Sequence, residues 1–308
     1  MSPRRVSARA TIGVCNLSGR LTDLAAFERG LEYLRSLGHE VVVAPQTTLA
    51  WRYLAGTDGD RVAGFDQLLA DDRIDMILAA RGGYGLSRLM DRIDWKRVCD
   101  SGKVFAGFSD FTAFNCAAYA AGELVTFQGP MVASDFGSAD PSEFAREHFW
   151  AAVTRDSHSI DGVACDHGYA PRRIDGPLWG GNLALLAHLL GTPYFPVIPD
   201  GILFVEEIGE DPYAIERMFL QLLHSGTLGR QRALILADFT DCKPNNPDRY
   251  PYSMEEVVES LRGWLPCPVL TGFPFGHIAR KVTLPFGAPA TLSIDASGYR
   301  LAFSRHVR

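Results

Sequence analysis

The chain has 308 residues, 47% of them hydrophobic, and a formal net charge of -6. That is ample for a packed core and for two domains. An acidic chain without long basic runs is not built to hold a phosphate backbone, and no run of about 18 apolar residues is present to span a membrane, so neither nucleic acid nor membrane is expected as a partner.

The N-terminus has early arginines, Arg4 and Arg5, but no apolar signal core; it reads as a cytoplasmic start, with a first strand near Ala10 to Cys15. LTDLAAFERGLEYLRSLGHE sets Leu24, Phe27, Leu31 and Leu34 on one helical face, with Thr22 able to cap its start and Gly38 its end. VVVAP reads as a buried strand. DRVAGFDQLLADDR is a second amphipathic helix, with Val62, Phe65, Leu68 and Leu69 inward. The strand IDMILAA runs straight into RGGYG, and the strand KVFAGF into a serine and the helix DFTAFNCAAYAAG. LVTFQGP is a short strand, and PSEFAREHFWAAVTR a helix that closes this half. Such βαβα alternation implies a parallel sheet covered on both faces, with chemistry beyond the carboxyl ends of its strands. RGGYG and GFSD both fall at that edge.

Residues 156–175 are polar and irregular, with Gly162, Gly168 and Pro171, and read as a crossing between an N-terminal domain (1–155) and a C-terminal one (176–308). The second part opens with GPLWGGNLALLAHLLGTPYFP, holding a helix from about Asn182 to Leu190. The strand GILFVEE, the helix DPYAIERMFLQLLHSG, the strand RALILADF and the helix SMEEVVESLRGWL follow. The tail alternates the short strands CPVLTGF, KVTLPFG, ATLSIDAS and YRLAFS. The fold class is therefore α/β: a flavodoxin- or Rossmann-like parallel sheet, then an α+β domain with a partly barrel-like sheet. The six cysteines are scattered without a CxxC pair and read as buried thiols of a reducing compartment.

Ser109 has two readings. Serine is a favoured helix N-cap. A serine on an abrupt strand-to-helix turn is also exposed like a nucleophile, with the N–H of Asp110 placed to bind an oxyanion, although the G-x-S-x-G elbow is absent because Phe111 stands where the second glycine would be. A serine nucleophile needs a base. Of eight histidines, His277 stands apart in the glycine-flanked loop GFPFGHIARK; the others lie on or after helices, in the 156–175 segment or in the tail. A carboxylate must orient that imidazole. Glu206 and Glu207 end an apolar strand and, being adjacent, face opposite ways. The glycines of RGGYG permit a close approach, and the N–H of Gly83 or Gly82 is a second candidate oxyanion donor. Dinucleotide and Walker spacings are absent.

In this order, ARGGYGLSRLMDRIDW, GFSDFTAF, VTFQGPM, PLWGGNLALLAHLLGTPYFP, ILFVEEIGEDPYAIERMFLQL and GFPFGHIARKVTLPFG resemble the LD-carboxypeptidase family of serine peptidases, specifically its members acting on murein tetrapeptides. The match spans Ala80 to Gly287. The resemblance implies a Ser–Glu–His triad across two domains: Ser109 as nucleophile, His277 as base and then acid, Glu206 as orienting carboxylate, and the N–H groups of Asp110 and Gly83 as the oxyanion hole. Glu206 is taken over Glu207 because the family pattern places its glutamate first in a Glu-Asp pair, which is Glu-Glu here. The implied reaction releases the terminal D-alanine of a murein tetrapeptide in the cytoplasm, without metal or organic cofactor, and a homodimer is suggested on the same ground. A carboxypeptidase must also sense a free carboxylate, for which Arg81 or Arg280 offers a guanidinium fork. A microcin-immunity branch of the family uses the same triad on peptidyl or aminoacyl nucleotides. A non-catalytic two-domain binder of small ligands would also account for the two domains and the glycine loops, without needing Ser109, Glu206 and His277 to converge.

Overall fold

The computed structural model describes residues 1–249 and 251–308. The first half alternates β1 (Thr11–Cys15), α1 (Leu24–Ser36), β2 (Glu40–Val43), α2 (Asp58–Ala70), β3 (Met76–Ala79), α3 (Trp95–Asp100), β4 (Val104–Gly107), α4 (Thr112–Gly122), β5 (Thr126–Gln128) and α5 (Glu143–Thr154). These five strands are parallel, in the order β5-β4-β3-β1-β2. β3 and β4 are buried along their whole length, as a sheet covered on both faces requires. Helix α1 is capped by Asp23, whose carboxylate accepts from the Ala26 N–H at 2.8 Å; Thr22 is one residue too early. Phe27, Leu31 and Leu34 are buried as the pattern expects, while Leu24, the first helical residue, stays exposed.

The rest of the chain runs β6 (Ser157–Ala164), β7 (Arg172–Asn182), α6 (Leu183–Leu189), β8 (Ile202–Ile208), α7 (Pro212–His224), β9 (Ala233–Thr240), α8 (Met254–Trp264), β10 (Val269–Leu270), β11 (Leu284–Phe286), β12 (Pro289–Ile294) and β13 (Gly298–Ser304). The second sheet has the order β10-β9-β8-β7-β12-β13-β6. β10 to β7 are parallel, and β12, β13 and β6 join antiparallel. Two details differ from the sequence pattern. Residues 157–164, read as irregular, form β6: an edge strand needs one paired flank and one buried face, so Ile160 and Val163 suffice among polar neighbours. β11 leaves its chain neighbours and pairs antiparallel with β5 at the edge of the first sheet.

The halves share one apolar core. Phe105, Phe108, Phe111 and Phe114 of the first are continuous with Leu178, Trp179, Phe204 and Phe275 of the second, and a separate cluster covers the other face of the first sheet. Polar contacts are added where they meet. Thr112 Oγ1 accepts from the Asn182 N–H and from Gln128 Nε2, both at 3.1 Å, and Gln128 Nε2 also donates to the Gly180 carbonyl. Gly181 makes this approach feasible: at φ 138° it favours glycine, and a Cβ would stand 2.3 Å from Gln128 Nε2 and 2.5 Å from Thr112 Oγ1.

Candidate active site

Strand β4 delivers the chain to the carboxyl edge of the first sheet and stops at Gly107. Ser109 then takes φ 63°, in the left-handed region that a residue bearing a Cβ occupies only when its surroundings force it. Asp110 and Phe111 complete one tight turn before α4 begins. Ser109 is not the cap of α4: Phe111 holds that position and no side chain caps the helix. Instead the half-buried Ser109 hydroxyl lies 3.1 Å from His277 Nε2.

His277 Nδ1 lies 2.7 Å from Glu206 Oε2, and Glu206 is fully buried. A carboxylate at Nδ1 accepts the proton there, which leaves the Nε2 lone pair facing the Ser109 hydroxyl. Glu207 does something else. Its Oε1 accepts from Asn182 Nδ2 and the Ile208 N–H, and its Oε2 accepts from the Ala184 N–H, so it holds the start of α6. Burial pushes its carboxyl upward. The two neighbours are separated further by a bulge. Val205 pairs with Leu236 and Glu207 with Phe239, leaving Glu206 opposite both Ala237 and Asp238. The extra residue on β9 meets the histidine loop: the Asp238 N–H donates to the Phe275 carbonyl at 2.8 Å.

That loop is tied down again four residues past the histidine. Lys281, 2% exposed, donates to Asp135 Oδ1 at 2.5 Å, and its ammonium lies 3.9 Å from the centre of the Phe108 ring. His277 packs on the same ring, centroids 5.0 Å apart. Phe108, the residue before Ser109, thus has the His277 imidazole and a buried ammonium against it.

The glycine loop lies beside the serine. Gly82 presses against it: a Cβ there would stand 3.0 Å from Ser109 Cβ and 3.2 Å from Oγ. Gly83 lies next in the loop, against the Tyr53 hydroxyl. Arg81, half-buried, donates through Nη1 to the Arg20 carbonyl and lies over the Tyr53 ring. The exposed rings of Tyr53 and Tyr84 form the rim, 6.4 Å apart. Arg280 is directed elsewhere, stacking over Phe144 of α5 at 3.8 Å. Trp179 belongs to the core, its indole N–H on Gln231.

Three side chains play parts that the sequence did not signal, among them that of Asp110, which it marked only for its backbone N–H. Asp110 is 1% exposed, and its Oδ2 accepts from Ser18 Oγ at 2.5 Å and from the Leu86 N–H at 2.9 Å. Burial raises its carboxyl to about 6. Arg61, fully buried, donates to the carbonyls of Leu17 and Gly85 and pairs with Asp58. Lys281 is the third. Each sits where the helix pattern or a loop would place an ordinary solvated charge.

Comparison with known proteins gives the family and the fold. Residues 12–129 match the LD-carboxypeptidase N-terminal domain and residues 175–292 the LD-carboxypeptidase C-terminal domain. The chain is 32% identical to the murein tetrapeptide carboxypeptidase of Pseudomonas aeruginosa, over 86% of this chain and 87% of the relative. It is 28% identical to the microcin C7 self-immunity protein of Escherichia coli, over 92% and 91%. The crystal structure of muramoyltetrapeptide carboxypeptidase from Oxalobacter formigenes superposes with a TM-score of 0.89 at 37% identity, covering 97% of this chain and all of that one.

Proposed function

Because the chain belongs to the LD-carboxypeptidase family of serine peptidases, we propose that it releases the terminal D-alanine of cytoplasmic murein tetrapeptides, cutting the bond between the L-centre of diaminopimelate and D-alanine, as a step in peptidoglycan recycling. The observation that carries this reading is the unbroken relay Ser109 Oγ–His277 Nε2 at 3.1 Å and His277 Nδ1–Glu206 Oε2 at 2.7 Å, with donors and acceptors in the order acyl transfer needs.

In this mechanism Ser109 Oγ attacks the scissile carbonyl while His277 Nε2 takes its proton. Glu206 holds the imidazole by Nδ1–H and stabilises the imidazolium. The oxyanion is bound by the N–H groups of Asp110 and Gly83. Collapse expels D-alanine, whose amine takes the proton from His277, and leaves the acyl group on Ser109. A water then loses its proton to the same nitrogen and attacks the ester; the acyl–Oγ bond breaks, His277 returns the proton to Ser109 Oγ, and the tripeptide leaves as its carboxylate. Arg81 is the proposed sensor of the substrate's terminal carboxylate, since among the described residues only its Nη1 has a hydrogen-bond acceptor, the Arg20 carbonyl.

The test is D-alanine release from purified tetrapeptide, run beside an aminoacyl nucleotide of the kind a microcin-immunity enzyme would cleave, with fluorophosphonate labelling of Ser109 as a readout that needs neither substrate. Release from the tetrapeptide and labelling together are expected. Labelling with cleavage of the nucleotide alone would move the enzyme to the immunity branch. No labelling and no release would leave a two-domain binder.

A further inference from the structure

Two loops flank the elbow from the first sheet: residues 16–19, after β1, and residues 81–86, after β3. Both are gripped twice. On one side Arg61 donates to the Leu17 carbonyl and, at 2.9 Å, to the Gly85 carbonyl, and Asp58 bridges it to Arg88 outside. On the other side the Asp110 carboxylate accepts from Ser18 and Leu86, the very next residues of the same two loops. The loops also bond each other, Gly19 N–H to the Gly82 carbonyl at 3.2 Å. Four buried bonds, two given by a guanidinium and two accepted by a carboxylate, thereby fix the glycines against Ser109. Burying both charges is costly unless each is fully engaged, and packing alone would hold the loops less tightly in place.

We propose that the Asp110 side chain is a positioning residue for the oxyanion hole: it fixes the loop that carries Gly82 and Gly83 at a set distance from its own backbone N–H, so that one residue supplies the first donor and locates the second. The proposal rests on the acyl-transfer reading given above. It assigns the carboxylate a role in the transition state that a helix-start aspartate would not have. An oxyanion donor acts only if aimed where charge develops, and misplacing one costs nearly as much as removing it.

The experiment measures the rate constant and final stoichiometry of fluorophosphonate labelling, whose tetrahedral adduct occupies the oxyanion hole, together with kcat and KM for D-alanine release. Asp110→Ala, which removes both accepted bonds, is expected to label about 30- to 100-fold more slowly, to full stoichiometry, with kcat reduced in parallel and KM within about threefold. Asp110→Asn retains an oxygen that can accept both bonds and is expected to recover to within about fivefold of wild type. Should Asp110→Ala fail to fold, Ser18→Ala removes one bond only and is expected to slow labelling about fivefold. Full-rate labelling of Asp110→Ala (or of Ser18→Ala, where only that variant folds), or a reduced final stoichiometry at an unchanged rate, overturns the proposal; the second result marks a purely structural residue. Asp110→Asn as slow as Asp110→Ala also overturns it, because the accepted bonds would then not be what matters. Wild-type protein that neither labels nor releases D-alanine would instead overturn the acyl-transfer reading itself.

Discussion

The two sides of the site are held by different means. Ser109, the proposed nucleophile, stands between β4 and α4, and its left-handed backbone is enforced by regular structure before and after it. His277, the proposed base, stands on a loop, residues 273–282, with no regular element of its own; it is set by the Asp238 to Phe275 bond, the Glu206 carboxylate and the Lys281–Asp135 pair. Strain can be stored where the scaffold over-determines the chain. An imidazole that must give and take a proton is better served by a few directional contacts, which also makes it easier to dislodge. Variants on the nucleophile side should therefore lose chemistry with the fold intact. Variants on the base side should lose placement by degrees.

The largest effects test whether both sides belong to one unit. Ser109→Ala and His277→Ala are each expected to lower kcat for D-alanine release by about a thousandfold or more, and the double variant by little beyond either. Additive losses would mean that the two side chains do not act in one step. Next comes the pair of adjacent glutamates. Glu206→Gln presents an amide to His277 Nδ1 and is expected to cost about 10²- to 10⁴-fold in kcat with little change in Tm. Glu207→Gln is expected to do the reverse. Both oxygens of the buried Glu207 accept hydrogen bonds, one from the Ala184 N–H, so an amide nitrogen there faces a donor and costs about 1–3 kcal/mol of stability while kcat holds within severalfold.

The same contrast governs what could be read from the sequence. The first half was legible because alternating strand and helix periods imply a parallel sheet, and a parallel sheet fixes which edge carries RGGYG and GFSD. The glutamates were legible as a pair, and strand alternation expects them to face apart. The bulge that leaves Glu206 opposite two residues of β9 was not legible, since it depends on which strand β8 pairs with and in what register. β6 was missed because a polar edge strand looks like a linker. Arg61, Lys281 and the carboxylate of Asp110, whose N–H alone was read as functional, were missed because burial of a charge is decided by its tertiary partners, and a lone charged residue in a short segment reads as solvated.

A smaller effect concerns the anchor of the base loop. Lys281→Met leaves the half-buried Asp135 without its cation, though still accepting from the Met131 N–H and Ser134 Oγ, and is expected to lower stability by about 1–3 kcal/mol, with kcat down about tenfold. Lys281→Met combined with Asp135→Asn removes both charges. Its Tm is expected to recover much of the loss, while kcat stays low because Phe108 and His277 still lack the ammonium packed on that ring. Recovery of kcat together with Tm would reduce the pair to a stability element.

The smallest effect separates the site from the far end of the second sheet. Burial holds the imidazoles of His158 and His306 down at about 4, against an ordinary value of 6.5. His158 faces His148, Arg155 and Asp161, and His306 Nε2 donates to the Ala152 carbonyl. Between about pH 6.5 and 4 the unfolded chain therefore binds more protons at these two positions than the folded one, so stability rises with pH across that window. Their contribution is complete above about 6.5 and is lost progressively as pH falls toward 4. Asp110 works against it: with its folded value raised to about 6, the folded state binds the extra proton there between about 4 and 6, and the same holds in direction for Glu207. His39 and His148, also lowered by burial, act in the same direction as His158 and His306, and because the carboxyls oppose them only variants resolve the separate contributions. Replacing both His158 and His306 by Gln is expected to remove a fall of about 5 °C between pH 7 and 4.5, a figure reduced for the solvent reaching His158. Ser109→Ala should keep the wild-type slope. If the slope instead followed the site variants and ignored the histidines, acid sensitivity would lie with the strained elbow, and the assignment of robust fold to the nucleophile side would have to be reversed.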